Sequence, residues 1–152
     1  MKKFGFMVLL VAVLAAPMFA DTLTTTVIRA VVGADLNITS DMASVEEVNP
    51  ALTSATLGNV TISSNMTGNW RIVVTSANDG AMVRVGGTDR YPYLLNFGTT
   101  VGHNLATDLS ITNTGVQSPL TVPVSLTYQT AASLALPAGT YEDTLTISLL
   151  AP

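Results

Sequence analysis

Cysteine is absent from the 152-residue chain, and only 11% of its residues are charged. Without cysteine there is no disulfide framework, no thiol nucleophile and no zinc–thiolate site. The fold must stand on its apolar core, which a domain of about 130 residues is large enough to supply. Cations are equally scarce. The lysines are Lys2 and Lys3, and the remaining positive charges are Arg29, Arg71, Arg84 and Arg90, set against ten acidic residues. Scattered arginines on an acidic chain exclude nucleic acid as a partner, because phosphate contacts need clustered positive charge. Anionic lipid is a poor partner for the same reason. There is one histidine and one tryptophan, no internal repeat, and no convincing helical period after residue 20.

The N-terminus carries a different signal. Met1, Lys2 and Lys3 form a basic head, residues 4–16 an apolar run, and Pro17 to Ala20 a cleavage region. This order predicts a secretory signal peptide over residues 1–20. The run is shorter than the roughly 20 apolar residues of a membrane-spanning helix, so no span is expected after cleavage. The expected location is the periplasm in transit, then the cell surface or the extracellular space.

The rest of the chain reads as strands. Threonine occurs 22 times after residue 20, and β-branched residues suit a pleated, half-buried surface. Alternation is explicit in five places: Val60 and Ile62; Trp70, Ile72 and Val74; Tyr91, Tyr93, Leu95 and Phe97; Val122, Val124, Leu126 and Tyr128; Tyr141, Leu145, Ile147 and Leu149. Each set predicts one core face and one outer face. Trp70, Ile72, Tyr93, Leu126, Tyr141 and Ile147 are accordingly expected in the core. Turn signals at residues 65–69, 78–80, 86–87, 98–102 and 137–139 separate the runs. Residues 41–56 are polar and read as a long connection with a short helical turn. Short strands at this spacing predict an all-β protein, a β-sandwich.

Residues with catalytic chemistry do not cluster. His103 is expected in a polar, glycine-rich loop, and no G-x-S-x-G element supplies a nucleophile for it. Glu46-Glu47 and Glu142-Asp143 are adjacent pairs, and neighbours on a strand point to opposite faces. Asp79 and Asp89 flank a hairpin without the ligand spacing of a calcium loop. Three sequons begin at Asn37, Asn59 and Asn65, a number that chance supplies in so threonine-rich a chain. Trp70 could be a sugar-stacking platform, but its place in an alternating run favours the core. No catalytic residue, cofactor or metal is expected, and the protein is read as a non-enzyme.

Three segments carry a family resemblance. "LPAGTYEDTLTISL" (136–149) resembles the C-terminal strand motif of the spore coat protein U family, which overlaps with the pilin subunits of archaic chaperone–usher fimbriae. "GNWRIVVTSANDGAMVRVGGTDRYPYLL" (68–95) is similar to that family's central hairpin, and "DTLTTTVIRAVVGADLNIT" (21–39) to its alternating N-terminal extension. The resemblance covers most of the chain after residue 20. It departs at a disulfide that family members often carry, because Leu36 and Ser63 stand roughly where those cysteines would fall. The resemblance implies an immunoglobulin-like β-sandwich left incomplete by one strand and completed by donor-strand exchange. It implies self-association or association with related pilin subunits, with a periplasmic chaperone and an outer-membrane usher as export partners.

A donor strand must alternate so that every second side chain meets a pocket. Leu23, Thr25, Val27, Arg29 and Val31 form one frame, broken by a charge. Thr24, Thr26, Ile28, Ala30 and Val32 form the other, which is uncharged and is the expected inserting frame. The organisation is thus a signal peptide (1–20), an extension or first strand (21–33) and a β-sandwich domain (34–152). The expected function is a secreted fimbrial or coat-like structural subunit. The alternative is a stand-alone surface binding module for carbohydrate or protein.

Overall fold

Period-two alternation of apolar and polar residues, broken by glycine and proline turns, becomes a set of short antiparallel strands. The computed structural model describes residues 27–151. The expected signal peptide and residues Thr24 and Thr26 of the inserting frame lie outside them. The strands are β1 (Leu36–Ser40), β2 (Ser54–Ser64), β3 (Asn69–Ser76), β4 (Ala81–Arg84), β5 (Arg90–Pro92) and β6 (Leu94–Phe97). They continue with β7 (Thr100–His103), β8 (Leu109–Thr114), β9 (Gln117–Thr127), β10 (Tyr141–Glu142) and β11 (Leu145–Leu150). One helical turn, α1 (Ala132–Ala135), follows β9.

Every ladder is antiparallel. The largest sheet has the order β1-β2-β9-β6-β7, a second has β11-β3-β8, and a small third has β10-β4-β5. Val60, Ile62, Val122, Val124, Leu95 and Phe97 from the first sheet meet Trp70, Ile72, Val74 and Leu109 from the second in one core. Two sheets sharing a core make the fold a β-sandwich. Phe97, Ile62, Leu95, Val60, Val74 and Val124 are fully enclosed. Each such side chain contributes about 1.5–3 kcal/mol relative to exposure.

Local sequence explains the junctions. Asn78-Asp79-Gly80-Ala81 closes with Ala81 N–H donating to the Asn78 carbonyl, 3.2 Å. Asp79 and Gly80 both have positive φ (52° and 74°), the conformation that an Asp-Gly hairpin turn prefers. Gly139 serves a different need. A β-carbon there would lie 2.6 Å from Arg84 Nε, and Arg84 donates to the Ala138 carbonyl at 2.9 Å. The "PAGTY" element therefore docks the C-terminal segment onto the β4–β5 hairpin. Asp143 then secures it to the β3–β4 turn. Its carboxylate accepts from Ser76 Oγ (2.6 Å), the Asn78 N–H (3.0 Å), the Thr144 N–H (2.8 Å) and the Tyr93 hydroxyl. Burial and the neighbouring Asp143 carboxylate hold the Tyr93 hydroxyl well above the ordinary tyrosine range.

Several expectations are corrected. The connection after β1 holds one hydrogen-bonded turn, Asn49 to Leu52, rather than a helix, and β2 already begins at Ser54. Gly58, with φ of 129°, forms a bulge that lets β2 bend against Asp41 and Met42. His103 ends strand β7 rather than sitting in a loop. Trp70, Ile72, Tyr93 and Leu126 are buried as expected, but Tyr141 and Ile147 are only half-buried. Ile147 lies on β11, which among the described strands pairs only with β3. The residue facing Leu36 is Ser64; Ser63 faces Asn37.

That register gives a prediction. Asn65 N–H donates to the Asp35 carbonyl, so residues 35 and 65 are a hydrogen-bonded pair, and Leu36–Ser64 is the closer, non-hydrogen-bonded pair. Leu36→Cys with Ser64→Cys is expected to oxidise readily and to raise stability by up to about 2–4 kcal/mol, less the packing lost with Leu36. Leu36→Cys with Ser63→Cys is expected to stay reduced. Thiol titration and urea melts distinguish the two. Closure of the 36/63 pair instead would mean a different β1–β2 register.

Candidate functional site

The site is built from two strand edges. β1 ends the first sheet and β11 ends the second; the two approach one another, yet no ladder joins them. Backbone accounting shows which groups are left over. Asp41 N–H donates to the Asn59 carbonyl and Asn65 N–H to the Asp35 carbonyl, so the odd residues of β1 face β2. Because bonding direction alternates, Leu36, Ile38 and Ser40 turn their N–H and C=O groups to the open side. On β11 the same logic holds. Ala77 N–H donates to the Thr144 carbonyl, which assigns Thr146, Ser148 and Leu150 to β3. Leu145, Ile147 and Leu149 are left facing outward along the edge.

The side chains of those same residues complete the picture. Leu36, Ile38, Leu145, Ile147 and Leu149 pack against the core but remain partly exposed. One strand inward, Ile72 and Val74 are sealed at 5% and 0% exposure. A strip of apolar surface therefore runs beside two rows of backbone groups that no described strand pairs. The other edge of the second sheet differs. On β8 the outward backbone groups belong to Ser110, Thr112 and Thr114, whose side chains are polar and exposed. Edge strands are ordinarily guarded by charge. β1 and β11 contain none, and neither do β2, β6, β7 and β9.

The described part of the expected inserting segment is uncovered. Val27, Ile28, Val31 and Val32 are 83%, 93%, 86% and 81% exposed. Of the inserting frame, Ile28, Ala30 and Val32 are described and all three are exposed.

The remaining candidates do not converge. His103 Nε2 is 3.0 Å from the Thr107 carbonyl, and no carboxylate or hydroxyl is bonded to it. Asp89 pairs with Arg84 at 3.3 Å, while Asp79 occupies its turn. Asp143 is engaged in the Tyr93–Ser76 network, and Glu142 is exposed. Among the described residues no three histidine or acidic side chains gather as a metal-holding group. Trp70 is 3% exposed and donates from Nε1 to the Gly115 carbonyl, 2.9 Å. Tyr91 and Tyr128 stack inside the protein with ring centroids 4.7 Å apart. Trp70, Tyr91, Tyr93, Phe97 and Tyr128 are thus all buried, so none offers a platform on which a sugar could stack. The Asn59 amide donates to Asp41 and the Asn65 amide to Gly33, so two of the three sequon side chains are held internally. Asn59 also holds the Asp41 carboxyl below the usual carboxylate range through hydrogen bonds from its side chain and backbone.

The paired edges themselves carry no sequence motif. Parity of backbone bonding is invisible in a single strand, and only the missing neighbour makes Leu145, Ile147 and Leu149 distinctive. No protein-family model matches the chain, and no curated protein matches it.

Proposed function

We propose that the protein is a secreted, non-enzymatic structural subunit that assembles with copies of itself, or with related subunits, by β-strand addition at a bacterial cell surface. One observation carries this reading: β1 and β11 leave apolar residues half-covered where no described strand pairs their backbone groups, and residues 27–32 of the alternating N-terminal segment are exposed. A strand added along either edge would pair its backbone groups and cover the apolar side chains beside it. The resemblance to the spore coat U and chaperone–usher subunits points the same way, and with it the immunoglobulin-like sandwich closed by a donor strand. A periplasmic chaperone and an outer-membrane usher are then the export partners. The signal-like residues 1–20 support passage to the periplasm.

The test is strand exchange in solution. Full-length mature protein is expected to form concentration-dependent oligomers that survive mild detergent without heating. Deleting residues 21–32 should leave a folded monomer that takes up the same segment as a free peptide. A deletion variant that unfolds, together with a full chain that stays monomeric at high concentration, would overturn strand addition and make the segment an ordinary strand of its own domain.

A further inference from the structure

Chance accounts for the number of sequons in this chain, but the fold separates them. Asn59 is half-buried and donates from Nδ2 to the Asp41 carboxylate at 2.9 Å. Asn65 is half-buried too. Its Nδ2 donates to the Gly33 carbonyl at 2.8 Å, and its Oδ1 accepts the Asp35 N–H at 2.6 Å. These bonds tie the two ends of β1 to the β2 side. A sugar on either nitrogen would replace one of its N–H groups and crowd the partner that now faces it.

Asn37-Ile38-Thr39 is different. Asn37 and Thr39 lie in β1, where side chains two apart share a face, and both are exposed. Among the described residues no side-chain hydrogen bond holds either of them. Their cross-strand partners are Ser63 and Thr61, small polar residues that leave the outer face open. Asp35, also exposed, stands two residues before Asn37. An extended acceptor segment therefore presents a carboxylate, the acceptor amide and a hydroxyl on one side. The residues two before Asn59 and Asn65 are Leu57 and Ser63, so neither of those sequons has the carboxylate. β1 also pairs only with β2 among the described strands. An enzyme can reach Asn37 on the outer face and grip the backbone of Leu36 and Ile38 from the open side.

We propose that Asn37 is an N-glycosylation acceptor that takes an oligosaccharide from a lipid pyrophosphate carrier. The Asn37 Nδ2 bonds to the anomeric carbon of the first sugar while that carbon's bond to the pyrophosphate oxygen breaks. The lipid pyrophosphate leaves with the electron pair, and one amide proton passes to a base of the transferase. Nothing is oxidised or reduced. The Thr39 hydroxyl marks the acceptor by hydrogen bonding to the enzyme, and Asp35 offers its carboxylate to a cationic group there. The glycan stands on the outer face of the first sheet, away from the core. The site requires the export that residues 1–20 predict and is independent of strand addition.

The experiment expresses the full chain in a bacterium that carries a periplasmic oligosaccharyltransferase and its lipid-linked oligosaccharide. Intact mass and peptide mapping read the product, and an established acceptor protein in the same cells verifies the enzyme. One oligosaccharide per chain is expected, with Asn37 occupied at least tenfold more than Asn59 or Asn65. Asn37→Gln and Thr39→Ala should abolish the modification, and Thr39→Ser should keep it. Asp35→Ala should lower occupancy at least tenfold. Urea melts verify that each variant folds, as the exposure of all three residues predicts. An exported, leader-free chain left unmodified would overturn the proposal. So would a glycan on Asn59 or Asn65 in place of Asn37, or one that survives Asn37→Gln. Retention of residues 1–20 would report failed export instead. Mature chain is then incubated with membranes from the same cells, and the same outcomes decide.

Discussion

Ile28→Asp is expected to leave the chain folded and monomeric. Ile28 is almost wholly exposed, so its replacement removes no packing from its own domain. If the segment inserts as proposed, the same position meets the apolar strip along β1 and β11. A carboxylate entering that strip has no cation to meet, since neither strand carries a charge. Burying it unpaired is prohibitive, and even the neutral acid would enter at about 2 kcal/mol or more without a hydrogen-bond partner. Lost isoleucine burial adds about 1.5–3 kcal/mol. Together these weaken association by roughly three orders of magnitude at about 1.4 kcal/mol per tenfold. Thr25→Asp, on the opposite frame, should be tolerated, because that frame already holds Arg29. Sedimentation and unheated detergent gels read both outcomes. Assembly by Ile28→Asp with failure by Thr25→Asp would reverse the inserting frame. Wild-type assembly by both would remove this segment from the interface.

Trp70→Ala is expected to destabilise the domain by about 3–5 kcal/mol. Trp70 lies in the middle sheet strand β3, 3% exposed, and opposes Asn113 of β8. Truncation leaves a cavity and also strands the Gly115 carbonyl, which the indole N–H satisfies at 2.9 Å. Against a typical total of 5–15 kcal/mol this is a large fraction, and it should appear as a lowered urea midpoint with an unchanged slope. A loss below about 1 kcal/mol would contradict the core role. Assembly should weaken only in proportion to the unfolded fraction, because Trp70 does not line the β1–β11 edge.

The strand character of the chain, its turns and most of its core follow from the sequence by itself. Alternation of Val60 with Ile62, and of Trp70 with Ile72 and Val74, needs only the two-residue period of a strand to assign inner and outer faces. Asn78-Asp79-Gly80 carries its turn in its residue types, since Asp and Gly accept positive φ at little strain. The proposed inserting frame of residues 24–32 rests on the sequence alone, as an uncharged alternation. Pairing is a different matter. Nothing local tells β11 that β3 lies on one side and no described strand on the other, so Ile147 reads like Ile72 although one is half-covered and the other sealed. The same holds for Leu36, whose partner Ser64 rather than Ser63 is set by a register between strands far apart in the chain. His103 reads as loop because Gly102 beside it signals a break, whereas Gly102 sits within β7 at positive φ where the β6–β7 register shifts; Gly98 does turn the chain between the two strands. Asn65 shows the limit most clearly. In sequence it is one polar residue in a turn and the start of a chance sequon. Only the fold brings it against Gly33 and Asp35, because contacts across about thirty residues depend on which strands pair, and pairing is decided by the burial of the whole core rather than by any one segment.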